Sequence, residues 1–183
     1  MKTSKKLLAG CLLFATILSG ITLLNVSADN VLMTSQQIEQ IRNNCVLSKS
    51  TLNQLHASDA LLRVNMGQAY ESMSTKLMAR FNSRVVKNGF SNTSLVLMTT
   101  SYEQMLDVFR SDYIIYEEHL TSAINIDCTN QPVAFYDAID LARSKRNQVN
   151  ADVLKLDQYI DQYQSAVSQF EKDYATTTNG VKQ

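Results

Sequence analysis

From Phe135 to Tyr174 the chain repeats one pattern. Phe135, Ile139, Ala142, Arg146, Val149, Val153, Leu156, Ile160, Tyr163, Val167, Phe170 and Tyr174 alternate steps of four and three, and all but Arg146 are apolar or aromatic. Such steps lay side chains on one stripe of a helix, and holding them over many turns makes the seam of a coiled coil or long bundle. Asp140, Lys145, Asn147, Asp152, Asp157, Gln158 and Asp161 lie between the stripe positions and are expected in water. A helix over 132–174 would be about 65 Å long at 1.5 Å per residue. It cannot bury its stripe alone, so the rest of the chain must supply partners.

Two further stripes do so. Ile38, Ile41, Cys45, Leu52, Leu55, Leu62, Met66, Ala69 and Met73 keep near-heptad spacing and continue as Leu77, Phe81 and Val85, a shift consistent with a four-residue stutter. Thr34 with Gln37 spells a variant capping box at its start, and Asn88-Gly89 supplies its stop. Gly67 is the one interruption, marking a bend or a close contact. A second helix carries Leu95, Met98, Tyr102, Met105, Phe109, Tyr113, Tyr116, Leu120 and Ala123 and ends before Asp127-Cys128-Thr129-Asn130-Gln131-Pro132, where proline starts the third. The expected fold is all-α: an elongated up-down-up bundle of three long helices with coiled-coil-like packing. If the second helix folds straight back at Gly89, residue 119 lies level with 60 and Cys128 with 51. Residue n of the third helix then lies beside n − 81.

The N-terminus changes the compartment. Lys2, Lys5 and Lys6, an apolar run from Leu7 to Leu24 and then Val26-Ser27-Ala28 make a secretory signal peptide, with cleavage expected after Ala28. Leu8-Ala9-Gly10-Cys11 has lipobox letters in the wrong order relative to the apolar run, and Ala15 stands where a type IV pilin carries glutamate. The rival is an uncleaved anchor, because the run approaches a membrane span in length. The expected organisation is 1–28 signal peptide or anchor, 29–175 helical bundle domain and 176–183 disordered tail. Residues 29–183 carry 14 basic and 17 acidic side chains, which argues against non-specific nucleic-acid binding. The imbalance is local, with seven basic and three acidic residues in 30–90. Cys45 and Cys128 remain after cleavage, and an even pair in an exported chain reads as one disulfide.

The run Gln54-Leu55-His56-Ala57-Ser58-Asp59-Ala60-Leu61-Leu62-Arg63-Val64-Asn65, within Leu52 to Glu71, resembles uncharacterised secreted helical proteins of reduced-genome bacteria. The resemblance implies export and helical character and carries no function.

Catalytic constellations are nearly absent. With only Gly67, Gly89 and Gly180 after residue 28 there is no phosphate loop or nucleophile elbow, and no Glu-x-x-His pair marks a di-iron bundle. The chain is therefore expected to be non-enzymatic and to need no cofactor. His56 and His119 fall within about a turn of one another in the expected register, with Asp59 near and Glu117 and Glu118 adjacent, the makings of a metal site; two ordinary histidines are the favoured reading. Asp59, Asp112 and Arg146 occupy seam positions, where polar groups set register; Arg146 is expected near Asp112. Lys76, Arg80, Arg84 and Lys87 form a basic stripe that Asp157 and Asp161 are expected to neutralise, the alternative being contact with anionic wall polymer or lipid headgroups. The tyrosines are read mainly as core.

The function expected from these features is an exported, non-enzymatic interaction or scaffold protein of the cell envelope or extracellular space. It would have a protein partner, no nucleic acid, oligomerisation open, and membrane contact only through an uncleaved N-terminus. A metal- or small-ligand-binding bundle centred on His56 and His119 is the alternative. The location expected is extracytoplasmic, secreted or at the cell surface.

Overall fold

A computed structural model describes residues 33–180, and every regular element among them is helical. They form a helical bundle of α1 (Ser35–Asn43), α2 (Cys45–Ser72), a π turn (Met73–Met78), α3 (Ala79–Lys87), α4 (Thr93–Asn125) and α5 (Pro132–Gly180). The expected signal peptide or anchor and its cleavage point lie outside the described residues. No helix among those described is long and apolar enough to cross a membrane.

Local chemistry accounts for each boundary. The Thr34 hydroxyl accepts the Gln37 amide at 3.3 Å, and the Gln37 side chain accepts the Thr34 amide at 2.8 Å, a reciprocal box that satisfies two orphan donors. The first stripe is not one continuous helix, as the sequence suggests. Asn44 interrupts it, its side-chain amide bonding the Gln40 carbonyl at 2.8 Å, the local competition that makes asparagine a poor helix interior. At the far end Gly89 takes φ 80°, its amide reaching Val86 at 2.9 Å while Phe90 reaches Val85 at 3.2 Å. This is the Schellman arrangement that ends a helix and that glycine adopts without strain. Between α4 and α5 the Asp127 carboxylate accepts the amides of Thr129 and Asn130, and Pro132 opens α5 where its missing N–H costs nothing. Helix α5 runs to Gly180, so residues 176–180, expected in the disordered tail, belong to the helix. Gly67 lies inside α2 without breaking it, and a Cβ there would meet nothing within 4 Å.

The α5 stripe reads out closely. Phe135, Ala142, Val149, Leu156 and Tyr163 are buried, Ile139, Arg146, Val153, Ile160, Val167 and Phe170 are half-buried, and only Tyr174 is exposed. Helix α5 packs along α4, whose Leu95, Tyr102, Phe109, Tyr113, Tyr116, Leu120 and Ala123 are buried, with Thr99 and Leu106 beside them. Burial of each large side chain contributes about 1.5 to 3 kcal/mol relative to leaving it exposed. Helix α2 and the π turn pack on α4.

The seam departs from expectation at the π turn. Tyr70, Ser74, Met78, Asn82 and Val85 face inward, whereas Leu77 is 59% exposed and Phe81 only half-buried. A widened turn absorbs an extra residue, so inward side chains follow at steps of four where the sequence reading placed Met73, Leu77 and Phe81. Two polar members of this row are satisfied, Ser74 donating to Glu103 at 2.5 Å and Asn82 donating to Thr99 at 2.9 Å and accepting from the Tyr163 hydroxyl at 2.8 Å, while the buried Tyr70 hydroxyl has no hydrogen-bond partner among the described residues.

Candidate functional site

Cys45, the first residue of α2, and Cys128, in the turn before α5, are joined as a disulfide with Cα atoms 5.5 Å apart. Phe135 is buried against them, with Ile41, Leu52, Ile126 and Ile139 around it. Cys128 thus sits at the level of Cys45, about six residues beyond the level expected for it. The π turn, which lies between Cys45 and the hairpin at Gly89, alters the rise that a single straight helix would have given.

The same offset rearranges the polar seam. Arg146 pairs not with Asp112 but with Asp59: Nε donates to Oδ2 at 2.8 Å and Nη2 to Oδ1 at 3.1 Å, a bidentate fork. The Tyr116 hydroxyl donates to Asp59 Oδ2 at 2.7 Å. Burial pushes the Asp59 carboxyl up, but the hydrogen bonds from Arg146 and Tyr116 and the Arg146 charge outweigh it and hold the group below the ordinary carboxylate range. The Tyr116 hydroxyl is raised well above its ordinary value by burial and by the Asp59 carboxylate.

Asp112 faces Asp152 instead, and Asp152 is not in water as expected but 3% exposed. Burial, then the charge of Asp112 and a hydrogen bond shared with it, push the Asp152 carboxyl up to about 6, while Gln148 pulls the other way. Gln148 Nε2 donates to Oδ1 at 3.4 Å, and Oδ2 has no donor while both acids are ionised. Two carboxylates are acceptors only, so the shared bond requires one proton between them.

His56 Nε2 stands 3.6 Å from Glu117, too far for a hydrogen bond, and Glu117 also takes Arg63 at 3.4 Å. No group of three His, Cys, Asp or Glu among the described residues could hold a metal ion. Asp59 is already committed to Arg146 and Tyr116.

Two surfaces remain that the core does not use. The first is the outer face of α2. Val46, Ser50, Gln54, Ala57, Leu61, Val64 and Gln68 are all exposed, and at 100° per residue they share an arc of about 80° opposite Cys45, Asp59 and Tyr70. Their steps are four, four, three, four, three and four, the spacing of a packed seam, and none is charged. Val46 is 84% exposed and Leu61 64%. The sequence reading followed only the inward row and missed this one, although the same periodicity marks it.

The second surface is basic. Lys76, Arg80, Arg84 and Lys87 are exposed and form no ion pair among the described residues, so the expected neutralisation by Asp157 and Asp161 does not occur. The other described arginines, Arg42, Arg63, Arg110, Arg143 and Arg146, each pair with a carboxylate. Lys76, Arg80 and Arg84 line a groove of about 400 Å³ with Leu77, Phe81, Tyr163 and Val167. Lys76 also borders a groove of about 660 Å³ between α2 and α4, where Arg110 pairs with Glu71 and Arg63 lies 5.0 Å over the Tyr113 ring.

No protein-family model matches the chain, and neither does any curated protein or solved structure.

Proposed function

We propose that this protein is an exported, non-enzymatic interaction protein of the cell envelope, whose outer α2 face receives a helix of a protein partner. The observation that carries the reading is the uncharged outward row Val46, Ser50, Gln54, Ala57, Leu61, Val64 and Gln68. A solvent-facing helix surface ordinarily carries charge, and a second seam at near-heptad spacing on one helix has no use within the chain's own core. A row of small, amide and aliphatic side chains lets another helix approach closely. In this reading α1 to α3 rise together, α4 descends and α5 rises again, an elongated up-down-up bundle with coiled-coil-like packing. The contacts Cys45–Cys128, Asp59–Tyr116 and Asn82–Thr99 support it, because α2 and α3 numbers climb as α4 numbers fall. Export is supported by the N-terminal pattern and by the disulfide, a bond that persists in oxidising compartments.

The test is to replace Leu61 and Val64 by glutamate in the full chain and measure its association with the envelope fraction of producing cells. Both side chains are at least half exposed (64% and 50%), so thermal stability should stay unchanged while association is lost. Unchanged association with the fold intact overturns the reading.

A further inference from the structure

From Ser72 to Tyr102 the chain contains no aspartate or glutamate, and its only charges there are Lys76, Arg80, Arg84 and Lys87. Within α3, Arg80, Arg84 and Lys87 share an arc of about 60°, and neighbours four apart stand about 6 Å apart along the axis. The four cations thus run in single file for about 16 Å. The π turn extends this file beyond α3: it turns Lys76 and Leu77 outward, and both line the groove with Arg80 and Arg84. π turns are rare and often accompany functional sites. The groove floor is apolar and firm, with Phe81 edge-on to Phe170 at 5.9 Å and Tyr163 held by Met78 and Asn82.

We propose that this groove binds a linear polyanion, a phosphodiester-linked polymer whose phosphates recur along a short-carbon backbone. A file of cations about 6 Å apart suits a single chain with one phosphate per short repeat unit better than a nucleic-acid duplex, which carries one charge per about 1.7 Å of axis, and the buried Tyr163 and the half-buried Phe81 packed on Phe170 leave little ring face for stacking bases. A concave trough with cations along one wall accommodates a strand, whereas a bilayer surface needs a convex face. Arginine at two of the four positions supplies forked donors suited to phosphate oxygens. The residues are distinct from the α2 seam, so the two surfaces can be tested separately.

The test uses a fluorescein-labelled glycerol-phosphate oligomer and the full chain, with anisotropy read across a salt series. Binding should weaken with salt along a log–log slope of about −2 to −3, and the slope should shrink by about 0.7 for each cation removed. Lys76→Gln, Arg80→Gln and Arg84→Gln together should abolish binding, Arg80→Lys should retain most of it, and Arg143→Gln should match the native protein. Circular dichroism of each variant should be unchanged, because the replaced groups lie in solvent. Equal loss in Arg143→Gln and the triple variant overturns the proposal. So does binding to vesicles of anionic phospholipid without binding to the oligomer, or a folded triple variant that binds the oligomer as the native chain does.

Discussion

Replacing Arg146 by methionine isolates the polar seam. Methionine keeps most of the stem volume but removes the fork that donates to Asp59 at 2.8 and 3.1 Å. Asp59, 8% exposed, would then stay buried with only the Tyr116 hydroxyl as donor. Removing one partner of a fully buried ion pair costs 3 to 5 kcal/mol; the Arg146 side chain is 41% exposed, so water repays part, and we expect a loss of about 2 to 3 kcal/mol at neutral pH. The reverse change, Asp59→Asn, should cost less, about 1 kcal/mol, because the freed guanidinium can turn to water. The asymmetry has a pH signature. In the native chain the Asp59 carboxyl is depressed, so its stabilisation is present above the unfolded carboxylate range and fades as pH falls through the folded value. In Arg146→Met the desolvated carboxyl titrates higher than usual and its penalty is relieved by protonation, so the gap between the two proteins should narrow toward about pH 4. Urea denaturation followed by circular dichroism, at neutral and mildly acid pH, measures both effects. A variant as stable as the native chain at pH 7, or a gap that widens on acidification, refutes the reasoning.

Two further outcomes are expected. The Asp152 carboxyl is raised to about 6, so its contribution is fully present below the unfolded value near 3.8 and is lost as pH rises through about 6; Asp152→Asn should flatten stability between those pH values and add about 1 to 2 kcal/mol at neutral pH, a ceiling near 3 being reduced by proton sharing with Asp112. Replacing Cys45 and Cys128 by serine opens a loop spanning 83 positions and should lower stability by about 4 kcal/mol on chain-entropy grounds, read as the fall in urea midpoint.

The α5 seam was legible because one face is apolar at near-heptad spacing through Phe170, and periodicity alone identifies such a face. The joints were not. Whether the stutter after Met73 would be taken up by supercoil or by a π turn depends on how Ser74 and Asn82 find partners on α4 and α5, which no local pattern encodes. That choice moved Leu77 into solvent and left the basic file unpaired. Likewise Arg146 reached Asp59 because accumulated rise sets register, and an error of about one and a half turns exchanges one carboxylate for another. Asp152 looked like an ordinary surface acid because its burial comes from α4, not from its neighbours in sequence. The outward α2 row was readable from spacing but lay hidden behind the inward one, since a helix apolar on two faces shows no single stripe.

Scanning a photo-crosslinking amino acid along α2 in producing cells tests whether the outer face of α2 is a seam for a partner helix. Crosslinks to a partner protein should rise and fall with the helical repeat, strong at positions 50, 54, 57, 61, 64 and 68 and weak at 49, 51, 62 and 63. Crosslinking that is uniform along α2, or strongest at the second set, would contradict it.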